Sequence, residues 1–429
     1  MAVVIILFSL FALVTGYIIE KNIYNPVTCF FVYWAGVMSL LFLGDYFGAN
    51  KTSTRAFLLI LTGLVSYFAG CALVSRYKGN LGLSAVSNNR NYEYVLRYKL
   101  LYIIYGVVLL YLLYNSITII QLLMSGDSLA EVRKLYTNRE EYNIIRKSAL
   151  NVVFKSYVST PVIYLSLPLA VVDFFDGRKD KLLIVMTLSM VALWVLNTGG
   201  RSVILWLAMY CVAAMFIYSE KLKLNRNLIK WVLLSTALLI AALIFISNLR
   251  RSNFSLLREI FIYFEAPIPH FDYRISYIDS NYPHTYGFGM SSLNGLINPV
   301  LFFLENIGLI SYPSIYLIVK HLSFEALETT VDIGVRMNAF VTMFYQFYLD
   351  GRVFGIILGS LLFGGFCSWI YYKMKYSMNK MMVVLYLLII QKLLFSVVRF
   401  YFYQPSHVIG FILVFFLFSK VKPSLQQDI

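Results

Sequence analysis

The sequence predicts an all-α, polytopic integral membrane protein with about 11–12 transmembrane helices. Three observations carry this. Hydrophobic residues make up 60% of the 429, and the mean hydropathy is +0.73. Charged residues make up 13%, about half the roughly 25% of a soluble globular domain. Apolar stretches near the length needed to cross a bilayer, about 20 residues, recur along the chain. Together these exclude a soluble enzyme, a disordered tail and a nucleic-acid binder. The net charge of +15 needs no polyanionic partner, because Lys and Arg collect in cytoplasmic loops. Cys29, Cys71, Cys211 and Cys367 lie in apolar stretches without paired spacing, so neither a disulfide framework nor a zinc motif is expected.

Residues 1–19 carry no charge, and Lys21 follows them. A cleaved signal needs basic residues ahead of its apolar core, so this stretch reads as a retained first span. Further spans are expected near 26–44, 56–75, 100–124, 152–172, 182–197, 202–218 and 231–247, which makes residues 1–247 a block of eight. Only Asn197-Thr-Gly-Gly-Arg201 separates the sixth from the seventh, predicting a tight helical hairpin. Residues 248–350 form a long outer (periplasmic) loop, the candidate active-site region. Residues 351–429 carry the last spans, near 353–372, 381–398 and 405–420. With the C-terminus in the cytoplasm, the short inner loops hold about twice the Lys and Arg of the short outer ones, which sets the orientation. Eleven spans place the N-terminus outside, and one more helix would place it inside.

The long loop is rich in aromatic residues, which argues against disorder, and loops of this length usually carry function. Within it, 299–304 and 307–319 are expected to lie in the membrane interface or dip into the bilayer. A second outer segment, 125–151, mixes Arg133, Lys134, Arg139, Arg146 and Lys147 with Glu131, Glu140 and Glu141. It reads as an amphipathic helix on the membrane surface.

Several residues have side chains suited to chemistry. Arg201 follows Gly199-Gly200, where the backbone can turn sharply, and a guanidinium grips phosphate oxygens bidentately. As a single cluster it equally suits an interfacial anchor. Arg250 and Arg251 follow the eighth span and either reach lipid headgroups or join Arg201 in a phosphate clamp. Glu265, His270, Asp272 and Arg274 fall within ten residues. A carboxylate or imidazole there suits general-base work, and Pro267 and Pro269 suggest an irregular site loop. Its spacing matches no metal signature. His284 sits in a turn with Gly287 and Gly289. Asn338, Thr342, Tyr345 and Gln346 would share one face of a helix, suited to sugar binding or to packing. Gly355, Gly359 and Gly364 read as close-packing positions. Lys392, Ser396 and Arg399 form a polar stripe at membrane depth, where charge is expensive and usually functional.

On three stretches the chain resembles the Wzy-type oligosaccharide repeat-unit polymerases, or O-antigen polymerases. These are Thr198-Gly-Gly-Arg-Ser202; Tyr263-Phe-Glu-Ala-Pro-Ile-Pro-His-Phe-Asp272 with Tyr286-Gly-Phe-Gly289; and Asn338-Ala-Phe-Val-Thr342 through Tyr345, Tyr348 and Asp350-Gly351 to Gly355. The third looks like that family's Asn-x-x-x-Thr…Tyr-x-Asp-Phe-Gly pattern. It departs from the pattern at Gly351-Arg352, where Phe-Gly is common, and at Arg336-Met337, where a Gly is common. The match covers roughly 195–370; the first 190 residues match only in hydropathy.

The resemblance implies a GT-C-like membrane glycosyltransferase. Its substrates would be undecaprenyl-diphosphate-linked glycans, donor and acceptor, joined into lipopolysaccharide O-antigen or a similar surface polymer. It would work in the bacterial inner membrane, facing the periplasm, without metal, nucleotide sugar or other cofactor. A chain-length regulator is a possible partner. The departing diphosphate needs its charge stabilised; Arg201, Arg250, Arg251, Arg274 and Arg336 are the candidates. Asp272 or His270 would be the base. Asn338, Tyr345 and Tyr348 would hold sugars, with Lys392 and Arg399 completing the substrate-binding set. The rival readings are an O-antigen ligase, which would share the donor, and a repeat-unit flippase, which would line a central cavity with charge.

Overall fold

The computed structural model describes residues 1–43, 52–82, 92–126, 149–219, 264–324, 329–332, 335–337 and 340–422. The protein is mostly helical. Among the described residues, six helices are long and apolar enough to cross a membrane. The expected eighth span (231–247), residues 127–148 of the surface segment 125–151, and Arg250 and Arg251 lie outside the described residues.

The first unit contains α1 (Ala2–Glu20), α2 (Pro26–Leu40) and α3 (Thr54–Arg76) from the N-terminal block. Local chemistry sets their ends. Lys21 closes α1 in the left-handed region, φ 53°. Asn25 caps α2, its Oδ1 accepting from the Thr28 amide at 2.8 Å, with Pro26 in the first turn, where proline's missing N–H costs nothing. Ser53 caps α3, its Oγ accepting from the Ala56 amide at 3.2 Å.

The second unit contains α4 (Tyr98–Met124), α5 (Thr160–Asp176), α6 (Lys181–Thr198) and α7 (Ser202–Ile217). A helical turn at Ala149–Phe154 and a π turn at Lys155–Ser159 lead into α5. Asp173, on α5, takes a hydrogen bond from Tyr98 Oη and one from the Asp180 amide at 2.9 Å. The α6–α7 hairpin is as tight as its sequence requires. Gly199 ends α6 at φ 57°, and Asn197 joins α4 through Ser116 at 2.9 Å and the Leu112 carbonyl at 3.0 Å.

The described part of the region read as one long loop is largely helical. It holds α8 (Pro267–Asn281), α9 (Asn294–Asn306) and α10 (Ser314–Phe324), all in the first unit. Pro267 and Pro269 start α8 instead of bending a loop. Both occupy its first turn, where backbone N–H groups have no intrahelical acceptor. Among the described residues, two short antiparallel ladders accompany the helices. β1 (Glu93–Leu96) pairs antiparallel with β4 (Phe418–Val421), Leu96 opposite Phe418, and β2 (Thr329–Asp332) pairs with β3 (Val335–Met337).

Helix α11 (Phe344–Ser377) is broken at Gly351 and Arg352. Its arms, 344–350 and 353–377, fold back on each other: a Cβ at Gly355 would overlap the Phe347 carbonyl, and one at Gly359 the Phe347 ring. In an unbroken helix residues eight apart lie about 12 Å apart along the axis. The short arm is buried throughout. Phe344 reaches Trp34 at 5.2 Å, and the Met343 amide donates to the Ser396 carbonyl at 2.8 Å. The long arm runs parallel to α3, with Gly70 against Leu361 and Gly364 against Tyr67, both at backbone distance. These are the close approaches that small residues permit. Helix α12 (Lys380–Leu394) is buried from Met381 to Leu393, and α13 (Pro405–Leu417) follows a 3-10 turn at Tyr401–Tyr403.

At the Arg76 end of α3, Glu20 is nearly sealed. It accepts from Lys375 Nζ at 2.6 Å, Tyr372 Oη at 2.8 Å and Tyr371 Oη at 3.1 Å, with Lys78 at 3.5 Å.

Candidate functional site

The other end of α3 carries the richest open cluster of charge. Asp272 and Asp279 stand seven residues apart on α8 and so share a face. Ser53 donates to Asp272 from its amide at 2.5 Å and its Oγ at 2.6 Å, which ties the start of α3 to α8. Two residues on, Arg55 pairs with Asp279 and donates to Tyr348 Oη at 2.8 Å. Tyr348 Oη donates to Asp279 at 2.8 Å. Arg352 closes the group, with Nε 3.6 Å from Asp279 and Nη2 donating to the Tyr282 carbonyl at 2.7 Å. Its guanidinium lies 5.2 Å from the Tyr348 ring centre and 5.5 Å from that of Tyr286.

Two guanidiniums here share one carboxylate. Arg55 is about half exposed, and Asp279 is 28% exposed. Arg352 holds φ 54°, ψ −132°, a conformation that costs a non-glycine residue about 1–3 kcal/mol and persists only where its surroundings enforce it. Those surroundings are the fold-back and the turn below it. The Gly287 and Phe288 amides donate to the Leu349 and Asp350 carbonyls at 2.9 and 3.1 Å. The Ser291 and Ser292 amides donate to the Asp350 carboxylate, each at 2.9 Å. Tyr273 and Tyr277 stack along α8, and Tyr282 and Tyr286 continue the aromatic rim. The left-handed positions expected around His284 fall at Phe288 (φ 46°) and Gly289 (φ 89°).

Behind this surface lies a sealed layer. Arg274 is 1% exposed. It donates to Tyr345 Oη at 3.1 Å from Nε and 2.7 Å from Nη2, and also to the Leu322 carbonyl. These partners are neutral, and Nη1 has none among the described residues. His270 is fully buried, with Nδ1 2.9 Å from the Phe340 carbonyl. Burial pushes its pKa down to about 4, with the Phe340 bond opposing and nearby Arg274 adding. A general base must reach the proton it abstracts, and His270 faces no open surface. Of the two expected bases, Asp272 alone is open, half-buried at the rim.

Other expected site residues are placed differently. Helix α11 begins at Phe344, so Thr342 does not share its face with Tyr345 and Gln346. Asn338 and the Arg336 side chain lie outside the described residues. Lys392 is buried, 4.9 Å from the Phe402 ring, but α12 ends at Leu394, which breaks the expected stripe. Ser396 Oγ accepts from Trp34 Nε1 at 3.0 Å, and Arg399 donates to Tyr403 Oη at 3.4 Å. Arg201, in the second unit, starts α7. Arg55, Asp279 and Arg352 escaped the sequence reading. The departure of Gly351-Arg352 from the expected Phe-Gly was a signal for Arg352 alone.

Among the described residues, no three His, Cys, Asp or Glu side chains are grouped to hold a metal. No family model, no curated protein and no solved structure matches the chain.

Proposed function

We propose that the protein is a Wzy-type membrane glycosyltransferase that polymerises undecaprenyl-diphosphate-linked repeat units into O-antigen or a similar surface polysaccharide. The Thr54 end of α3 then faces the periplasm. The observation that carries the reading is the Arg55–Asp279–Tyr348–Arg352 cluster. It sets two guanidiniums, Arg55 half exposed and Arg352 14% exposed, around one carboxylate beside a tyrosine rim, on a unit with helices long and apolar enough to cross a membrane.

The chemistry follows from the groups. A sugar leaving a lipid diphosphate develops charge on the phosphate oxygens, and preorganised donors aimed there lower the barrier. Arg55 and Arg352 supply two guanidiniums, a geometry matched to phosphate. Asp279 and the Tyr286 and Tyr348 rings hold Arg352 in place, so little reorganisation is needed. The acceptor hydroxyl loses its proton to a carboxylate, and Asp272 has that role. Tyrosine faces along the rim stack on sugar rings. Arg274 and Tyr345 act behind the surface, fixing α8 against the short arm of α11.

The test is deletion of the gene in its bacterium, with surface polysaccharide resolved by gel. Collapse of the ladder to core plus one repeat unit supports polymerisation. Full-length polymer stranded on its lipid carrier would instead make the protein a ligase, and an unchanged ladder would overturn the reading.

A further inference from the structure

We infer that the α9–α10 hairpin is immersed in the acyl region of the bilayer, anchoring the Arg352 turn at the lipid surface. Helix α9 is amphipathic the wrong way round for water. Asn294 and Asn298, one turn apart, face the protein: Asn294 Nδ2 donates to the Tyr403 carbonyl at 2.8 Å and Asn298 Nδ2 to Tyr316 Oη at 2.9 Å. Tyr316 Oη donates back to Asn294 Oδ1 at 2.9 Å. The opposite face is Leu296, Val300, Phe303 and Ile307, at helical spacing. Val300 is 58% exposed and Phe303 64%. Leu309, Ile310, Leu317 and Ile318 extend the exposed apolar surface through the turn and along α10.

In water a surface helix turns its polar stripe outward and buries its apolar one. A helix that buries and satisfies its asparagines while presenting Val and Phe has an apolar medium outside. The occupant that fits is lipid. The same unit carries helices long enough to span a bilayer. At 13 and 11 residues, α9 and α10 fall short of the roughly 20 needed to cross one, so they lie along it. Glu305 and Lys320 are the charged residues of 294–324. Lys320 stands 4.9 Å from the ring of Tyr312, a residue type enriched at the headgroup level. Ser291 and Ser292, just ahead of α9, hold Asp350 next to Arg352. The hairpin therefore sets the depth of the Arg352 cluster. An amphiphile can present its headgroup to Arg352 while its chain stays in lipid, and that last step alone rests on the proposed function.

The test uses the full chain in phosphatidylcholine–phosphatidylglycerol nanodiscs, with the native cysteines replaced by serine. Single spin labels go on Leu296→Cys, Val300→Cys, Phe303→Cys and Leu317→Cys, with Asn281→Cys and His284→Cys as aqueous controls. Oxygen accessibility is expected to exceed that of a water-soluble nickel chelate at the four apolar positions, and to fall below it at the controls. A chelate preference at Val300 and Phe303 would overturn the inference. So would shielding from both reagents, which would assign the face to a protein partner. If the cysteine-free chain does not fold, Phe303→Trp in the native background replaces it. Its added fluorescence should be quenched by acyl-brominated lipid and not by acrylamide; the reverse would overturn the inference. Neither readout uses activity, so failure of the glycosyltransferase reading leaves them intact.

Discussion

The two ends of the α3–α11 pair use the same side-chain chemistry to opposite effect. At the Arg76 end one carboxylate, Glu20, takes hydrogen bonds from Lys375, Tyr371 and Tyr372 and is only 7% exposed. At the Thr54 end one carboxylate, Asp279, is shared by Arg55, Arg352 and Tyr348 and lies open. Both ends carry tyrosines and a positive-φ residue, but Lys21 beside Glu20 holds the left-handed helical conformation that closes a helix (φ 53°, ψ 26°). Arg352 lies outside it, at φ 54°, ψ −132°. Backbone strain of the kind seen at Arg352 clusters at binding and catalytic sites. A closed, satisfied cluster is a joint between helices.

The largest expected effect separates the ends by activity. Arg352→Ala should cut polymer formation by two to three orders of magnitude, about 3–4 kcal/mol of transition-state stabilisation, at unchanged protein level. Quantified polysaccharide ladders measure it, and wild-type chain growth would erase the functional side of the comparison. Next comes stability. Glu20→Ala leaves Lys375 and two tyrosines without their acceptor and should cost about 2–3 kcal/mol. The check is thermal unfolding in detergent; an unchanged midpoint would mean that this end is no joint.

A third effect concerns the layer behind the open site. Burial lowers the His270 pKa to about 4 from roughly 6.5 unfolded. The unfolded chain therefore binds the extra proton first. Stability is complete above about pH 6.5 and is lost as pH falls toward 4, by about 2 kcal/mol at pH 5. Unfolding midpoints across that range should show the slope, and His270→Gln should flatten it. The smallest effect dissects Arg352 itself. Arg352→Gly and Arg352→Ala lose the same side-chain contacts, but only glycine is free of the positive-φ penalty, so the Gly variant should be more stable than the Ala variant by about 1 kcal/mol while both lose activity. Equal unfolding midpoints would show that the backbone at Arg352 is not strained.

Hydropathy located the helices well because each is a long apolar run, and α1, α3, α4, α5 and α6 lie where composition put them. The α6–α7 hairpin was legible from Gly199. The fold-back of α11 was not: residues 344–350 and 353–377 are both apolar and helical, and only contact between Phe347 and Gly355 reveals the reversal. Prolines misled at α8, because a helix's first turn tolerates them as readily as a loop does. The polar face drawn from Asn338 to Gln346 presumed a helix that begins only at Phe344. Arg55 and Asp279 were silent in the sequence, being far apart along it and adjacent only after folding.

The central claim is that the Thr54 end of α3 holds the transferring site. It is tested most directly by complementing a gene deletion with wild type, Arg55→Ala, Arg352→Ala and Glu20→Gln at matched membrane levels, and resolving surface polysaccharide by gel. The account predicts a full ladder for wild type and Glu20→Gln, and a single repeat unit for both arginine variants. Full ladders from the arginine variants would contradict it.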